Sequence, residues 1–278
     1  MAKFKHGWIG MAVALCCAPL AAANELQTPY GFAQSLIVEG EYQSASHAAA
    51  SANTADSFAL AAEALLSEVM LGLATDNKDQ AKDARDLAEA ALKLQPDHQN
   101  ARLQYAIADG FITRETGNVS AWMKKLPQKT YAIVQDYRAD FPDDARGDAL
   151  LGAWHLAVVS KAGEKNAQKW FGASVADGQL LYNAALSKDA NNVIVNVNYA
   201  FALLALSDED MADTQTAKIW LEQSVQLDPS DHMSQTLLGY ARTVLDMIDN
   251  RDAARIYAAM FLDGKKPIVL VQPYAAGN

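Results

Sequence analysis

The stretch Ala91-Leu92-Lys93-Leu94-Gln95-Pro96-Asp97-His98-Gln99-Asn100-Ala101-Arg102-Leu103-Gln104-Tyr105-Ala106 decides the fold. Apolar residues at helical spacing run up to Leu94 and stop at Pro96. Proline cannot continue a helix, and it pushes the residue before it out of the helical region. A few polar residues follow, and then a second apolar helical run begins. Small residues, Ala84 and Ala91, stand upstream of the stop. Small side chains at such points let two helix backbones cross closely. Ten residues after Pro96 comes the pair Tyr105-Ala106.

The same arrangement recurs outward from this stretch. Asp140-Phe141-Pro142, Lys188-Asp189-Ala190, Leu227-Asp228-Pro229 and, more weakly, Leu262-Asp263-Gly264 close apolar helical runs. Leu151-Gly152, Tyr199-Ala200 and Leu238-Gly239 end ten residues after Pro142, Ala190 and Pro229. Leu71-Gly72 lies 34 residues before Tyr105-Ala106. Tyr182, Ala185 and Leu186 precede one stop, and Ala217, Leu221 and Val225 another. Near the start, Gly40, Tyr42, Ala45, Ala49 and Ala52 repeat the second half of the pattern. Sustained self-similarity of this period is what a stack of helical hairpins produces.

These residues resemble the tetratricopeptide repeat, a hairpin with Leu-Gly in its first helix, small residues in its second and a terminal proline. The resemblance covers about residues 28 to 264. It implies an all-α protein, a superhelical solenoid of antiparallel helix hairpins with about five to six repeats; a generic all-α bundle is the alternative. The chain departs from the family in two ways. Pro96 and Pro142 are 46 residues apart, and extra residues fall near Ile112 to Gln128 and Lys161 to Ser174. The family's tryptophan at the fourth position of the first helix is replaced by Glu68, Arg102, Asp148 and Asn196.

Residues 1–23 read separately. Lys3, Lys5 and His6 precede an apolar run from Trp8 to Ala18, then Pro19 and Ala21-Ala22-Ala23. These are the three parts of a cleaved secretory signal peptide, and they predict a periplasmic protein. Leu15 before Cys16 is too large for a lipid-attachment site. The expected organisation is a signal peptide over 1–23, a helical-repeat domain over 24–264 and an extended tail over 265–278. That tail carries the β-branched run Pro267-Ile268-Val269-Leu270-Val271. It is expected to cap the last repeat, to add to a partner's sheet edge or to lie in the array's own groove. Both cysteines, Cys16 and Cys17, fall in the leader, so the mature chain relies on packing alone.

Without its leader the chain has 21 basic and 33 acidic residues, a net charge of −12. That sign argues against nucleic acid, or an anionic lipid surface, as the main partner. From Arg114 to Lys169 the balance reverses, with 9 basic and 7 acidic residues. No stretch outside the leader is long and apolar enough to span a bilayer.

The resemblance places the first helices on the inside of the curve, with Leu73, Ile107, Phe111, Arg146, Phe201 and Tyr240 among the lining residues. That lining is apolar. It reads either as a groove for an apolar ligand or amphipathic helix, or as core in a tightly wound array. The two insertions are the second candidate. They carry Trp122, Lys124 and Lys125, then Lys161, Lys165, Lys169, Trp170 and Phe171, and aromatics beside cations are enriched at interaction hot spots. Insertions in repeat proteins map to loops on one face; the alternative is that these tryptophans pack the longer helices in place.

No catalytic or cofactor motif stands out. His47, His98, His155 and His232 are scattered; His98 and His232 read as solvated turn residues and His155 as a core histidine. Ser207-Asp208-Glu209-Asp210 lacks the glycine and final glutamate of a calcium loop. The sequence therefore predicts a non-enzymatic, cofactor-free scaffold or adaptor that binds a protein or peptide. The alternative is a ligand-binding accessory of a TRAP-type solute transport system, taking an apolar small molecule.

Overall fold

The computed structural model describes residues 28–206 and 211–267, and every regular element among them is a helix. The leader, the acidic run 207–210 and residues 268–278 of the tail lie outside the described residues. In chain order the helices are α1 (Pro29–Glu39), α2 (Tyr42–Ala50), α3 (Ala55–Leu71), α4 (Asn77–Leu94), α5 (Gln99–Arg114), α6 (Asn118–Met123) and α7 (Leu126–Asp140). Then follow α8 (Ala145–Ala162), α9 (Glu164–Phe171), α10 (Val175–Lys188), α11 (Val193–Leu206), α12 (Met211–Ser224), α13 (His232–Asp246) and α14 (Arg251–Leu262). No helix among the described residues is long and apolar enough to cross a membrane.

The polar residues after each stop start the next helix. Thr54 and Ser57 form a reciprocal capping box on α3. Asp76, Asp144, Ser174 and Asp231 accept hydrogen bonds from the first-turn amides of α4, α8, α10 and α13. Each such cap contributes about 1 kcal/mol by satisfying an amide that has no partner within the helix. His98 caps α5, its Nδ1 accepting from the Ala101 amide at 3.1 Å while Nε2 lies 2.9 Å from Asp56 Oδ1. It is buried, not the solvated turn residue that its position suggests. A short loop forces it back against the start of α3, where Asp56 holds the second ring nitrogen.

The apolar runs pack in sequential pairs, α1 with α2, α3 with α4, α8 with α10 and α11 with α12. The pair that ends ten residues after each stop keeps a fixed place. Ala106, Gly152, Ala200 and Gly239 are each the eighth residue of their helices, α5, α8, α11 and α13. Leu71-Gly72 does not join them. Leu71 ends α3 and Gly72 caps it at φ +68°, a left-handed conformation open to glycine. The eighth residue of α3 is Ala62, fully buried, ten residues after Ala52. An alanine-rich helix hides this register, because Ala59, Ala61, Ala62 and Ala64 are all buried and all small.

The expected close crossing is found at Gly152. A Cβ there would stand 2.8 Å from Tyr182 Cδ2 and 3.0 Å from the Gly178 carbonyl of α10. Tyr182 then stacks on Tyr199 of α11 at 4.5 Å, so one close approach seats the next helix.

The last helix runs through the interior. Ala254, Tyr257, Ala258 and Phe261 form the buried stripe of α14, at the spacing of one helix face. α14 packs chiefly on α11, and its rings Tyr257 and Phe261 meet Phe201 edge-on at 6.3 and 5.0 Å. Polar contacts fix its far end. Arg114 donates to the Leu262 carbonyl, Asn77 Nδ2 to the Gly264 carbonyl at 2.9 Å, and Lys161 pairs with Asp263 at 3.1 Å. The backbone of Lys265 and Lys266 then crosses directly over Gly72. α13 meanwhile touches α1 and α3, which returns the chain to its beginning.

Candidate functional site

Of the apolar lining predicted from the sequence, Phe201 is core and Ile107, Phe111 and Tyr240 are partly buried. Phe201 has no exposed surface and is covered by α14. Tyr240 is half-buried, its hydroxyl donating to the Leu71 carbonyl at 3.0 Å. Ile107 and Phe111 pack on Leu65, Leu66 and Ala62 of α3. The Arg114 guanidinium covers the Phe111 ring at 5.4 Å. Arg146 is engaged as well: its guanidinium grips the Asp144 carboxylate with two bonds of 2.9 and 2.7 Å. Of that set Leu73, in the turn after α3, and Arg146 are exposed. The sequence could not show the cover over Phe201, because it is the chain's own α14.

The insertions are built differently from the expectation. They are the helices α6 and α9, not loops. Thr130 anchors the first one: its hydroxyl donates to Asp109 Oδ2 at 2.6 Å and lies 3.0 Å from the Thr113 hydroxyl. This ties α7 to α5 and leaves α6 as a projection between them. Lys125 closes the projection at φ +53° and Pro127 opens α7. The Pro127 carbonyl accepts from Trp154 Nε1 at 2.9 Å.

Trp154 is the common support. It is buried on α8 with Tyr131 of α7 at 4.7 Å, and its cluster includes Ala167, Phe171 and Ala173 of the second insertion. His155 beside it accepts from the Ser174 amide through Nδ1 at 3.2 Å, which leaves the proton on Nε2. Burial lowers the His155 pKa, offset in part by Asp177, so the ring is held neutral as the core histidine that the sequence suggests.

On this support the exposed residues gather. Val119, Trp122, Met123 and Trp170 keep 73%, 60%, 72% and 55% of their surface in solvent. Lys124, Lys125, Lys129, Lys165 and Lys169 are exposed around them, and none pairs with a carboxylate among the described residues. Trp122, Lys124 and Lys125 of the first insertion and Trp170 of the second are thus exposed. Val119 and Met123 were missed by sequence reasoning, although Val119-x-x-Trp122-Met123 has the spacing of one helix face.

Two further features complete the surface. A cleft of about 390 Å³ opens where the tail crosses Gly72, lined by Asp76, Asn77, Glu115, Lys265 and Lys266. Its charges are of both signs and it sits on turns. At the position where the tetratricopeptide pattern has tryptophan, Asp148 is buried and clamped by Arg138 of α7 and by Lys188 of α10, the latter at 2.6 Å. That arrangement joins three helices.

No protein-family model matches this chain, and no curated protein matches it significantly.

Proposed function

We propose that the chain is an exported helical-repeat scaffold or adaptor of the tetratricopeptide type, acting in the periplasm and working from its outer surface. The repeat reading is supported by the eighth-residue register of Ala106, Gly152, Ala200 and Gly239 and by the close crossing at Gly152. On this reading the hairpins form a tightly wound solenoid, and α14 lies where a ligand peptide would sit in an open one. One observation carries the binding function: two tryptophans stay in solvent on insertions that are themselves pinned to buried Trp154. Exposed indoles on a rigid support are the residue type that anchors interfaces. The transport-accessory alternative needs an open apolar groove, and the packing of α14 on Phe201 favours the scaffold reading over it.

The test is capture of partners from a periplasmic extract by the mature chain, residues 24–278, with a photo-crosslinker placed beside Trp122 or Trp170. The reading expects a stoichiometric protein that is lost in the W122A/W170A double variant. Capture of nothing, or of a protein whose yield the double variant does not change, overturns it.

A further inference from the structure

α6 is built inside out. Val119, Trp122 and Met123 occupy one face of the helix, and that face is turned to solvent. Ala121, on the opposite side, is the buried residue. Immediately after it, the stretch from Val119 to Gln135 holds Lys124, Lys125 and Lys129 and no carboxylate. Across Trp154, α9 adds Trp170 with Lys165 and Lys169.

We propose that this face docks the protein on an anionic lipid surface. The inference goes beyond the scaffold reading and concerns the same residues. The apolar tips project from two short helices. A lipid leaflet deforms around such tips. Indole rings with flanking lysines are the side-chain set that lies at the boundary between headgroups and acyl chains. The chain's overall negative charge does not oppose this. Charges are screened over about 8 Å at physiological ionic strength, so a leaflet meets the local lysines and not the distant carboxylates. Each lysine near such a surface strengthens binding about fivefold.

The experiment uses the mature chain with vesicles of equal parts phosphatidylglycerol and phosphatidylcholine, and with vesicles of phosphatidylcholine alone. Co-sedimentation and tryptophan emission are followed at low and high salt, and circular dichroism confirms that the variants are folded. Binding is expected to the anionic vesicles, with a blue shift in emission, and to weaken with salt. K124E/K125E is expected to weaken it at least about tenfold, and W122S/W170S to abolish the shift. No binding to anionic vesicles at low salt, or binding that K124E/K125E leaves unchanged, overturns the proposal. A protein captured at Trp122 without vesicle binding keeps the scaffold reading and removes this one. Vesicle binding without a captured protein does the reverse.

Discussion

The hydroxyl of Tyr42 and Nδ1 of His232 meet at 3.1 Å across 190 positions of sequence. The contact joins α2 to the start of α13 and closes the chain on itself. Burial raises the Tyr42 pKa to about 12, with Asp231 and Glu68 adding to it, so the phenol stays protonated. Gly40 makes room for the ring: it stands at φ +86°, and a Cβ there would lie 2.5 Å from His232 Cγ. G40A therefore combines left-handed strain with displacement of His232. It should lower stability by about 3 kcal/mol, against about 1 kcal/mol for H232A, which removes the hydrogen bond and the edge-on ring contact without backbone strain. Urea denaturation followed by circular dichroism measures both. Equal losses would mean that the closure does not depend on the glycine.

Asp148 should be the costliest polar residue to remove. Its carboxylate is buried, and Arg138 and Lys188 approach it from different helices. Both cations keep part of their surface in solvent, so deleting the acid does not strand fully buried charges. The expected cost of D148A is about 2–3 kcal/mol, below that of breaking a fully buried pair. K188A should cost less, because Arg138 still neutralises the acid. Thermal denaturation of the three proteins gives the order, and K188A losing more than D148A would overturn the assignment.

Asp148 also shows where the sequence was legible and where it was not. Helix stops were readable where proline and polar turn residues act locally: α4, α7, α10 and α12 end two to five residues before Pro96, Pro142, Ala190 and Pro229. The small-residue register was readable at Gly152 for the same reason. It failed at Gly72, where a helix-ending glycine and a helix-crossing glycine look alike until the backbone angle is known. Asp148 is the fourth residue of α8, and only the meeting of α7, α8 and α10 supplies its two cations. Phe201 in the predicted lining was apolar for a reason lying more than fifty residues away in sequence, at Phe261. The insertion tryptophans were legible as a type, Trp beside Lys. Their exposure depended on Trp154 taking up the packing role beneath them.

Acid should unfold the protein in part through Asp144. Burial alone would raise its pKa. The Arg146 side chain, the Tyr137 hydroxyl at 2.5 Å and the Arg146 amide outweigh this and hold it well below the usual carboxylate range. A carboxylate with a depressed folded pKa stabilises the fold above its unfolded value of about 3.9. That stability is lost as pH falls through the folded value. D144N should be less stable than wild type at pH 7 by about 2 kcal/mol. Below about pH 4 the two should begin to converge, because the unfolded chain then binds a proton that the folded Asp144 does not yet take up. Denaturation midpoints across that range check the convergence, and parallel curves would remove Asp144 from the acid response.

Two glycines at the same helix position should respond to alanine in opposite directions. Gly152 and Gly239 are both eighth residues, and both lie in helix interiors, where glycine costs about 1 kcal/mol relative to alanine. A Cβ on Gly239 would meet nothing within 4 Å, so G239A should gain most of that amount and raise the melting temperature. At Gly152 the same methyl would press on the Tyr182 ring at 2.8 Å and on the Gly178 carbonyl at 3.0 Å. Tyr182 is fully buried and stacked on Tyr199, so the ring has nowhere to go, and a backbone carbonyl yields only if α8 and α10 separate. Overpacking of this kind costs about 1–3 kcal/mol, which exceeds the gain in helix propensity. G152A should therefore be destabilised while G239A is stabilised. Melting curves of the two single variants decide it: if both rise, the α8–α10 crossing is looser than the geometry at Gly152 states.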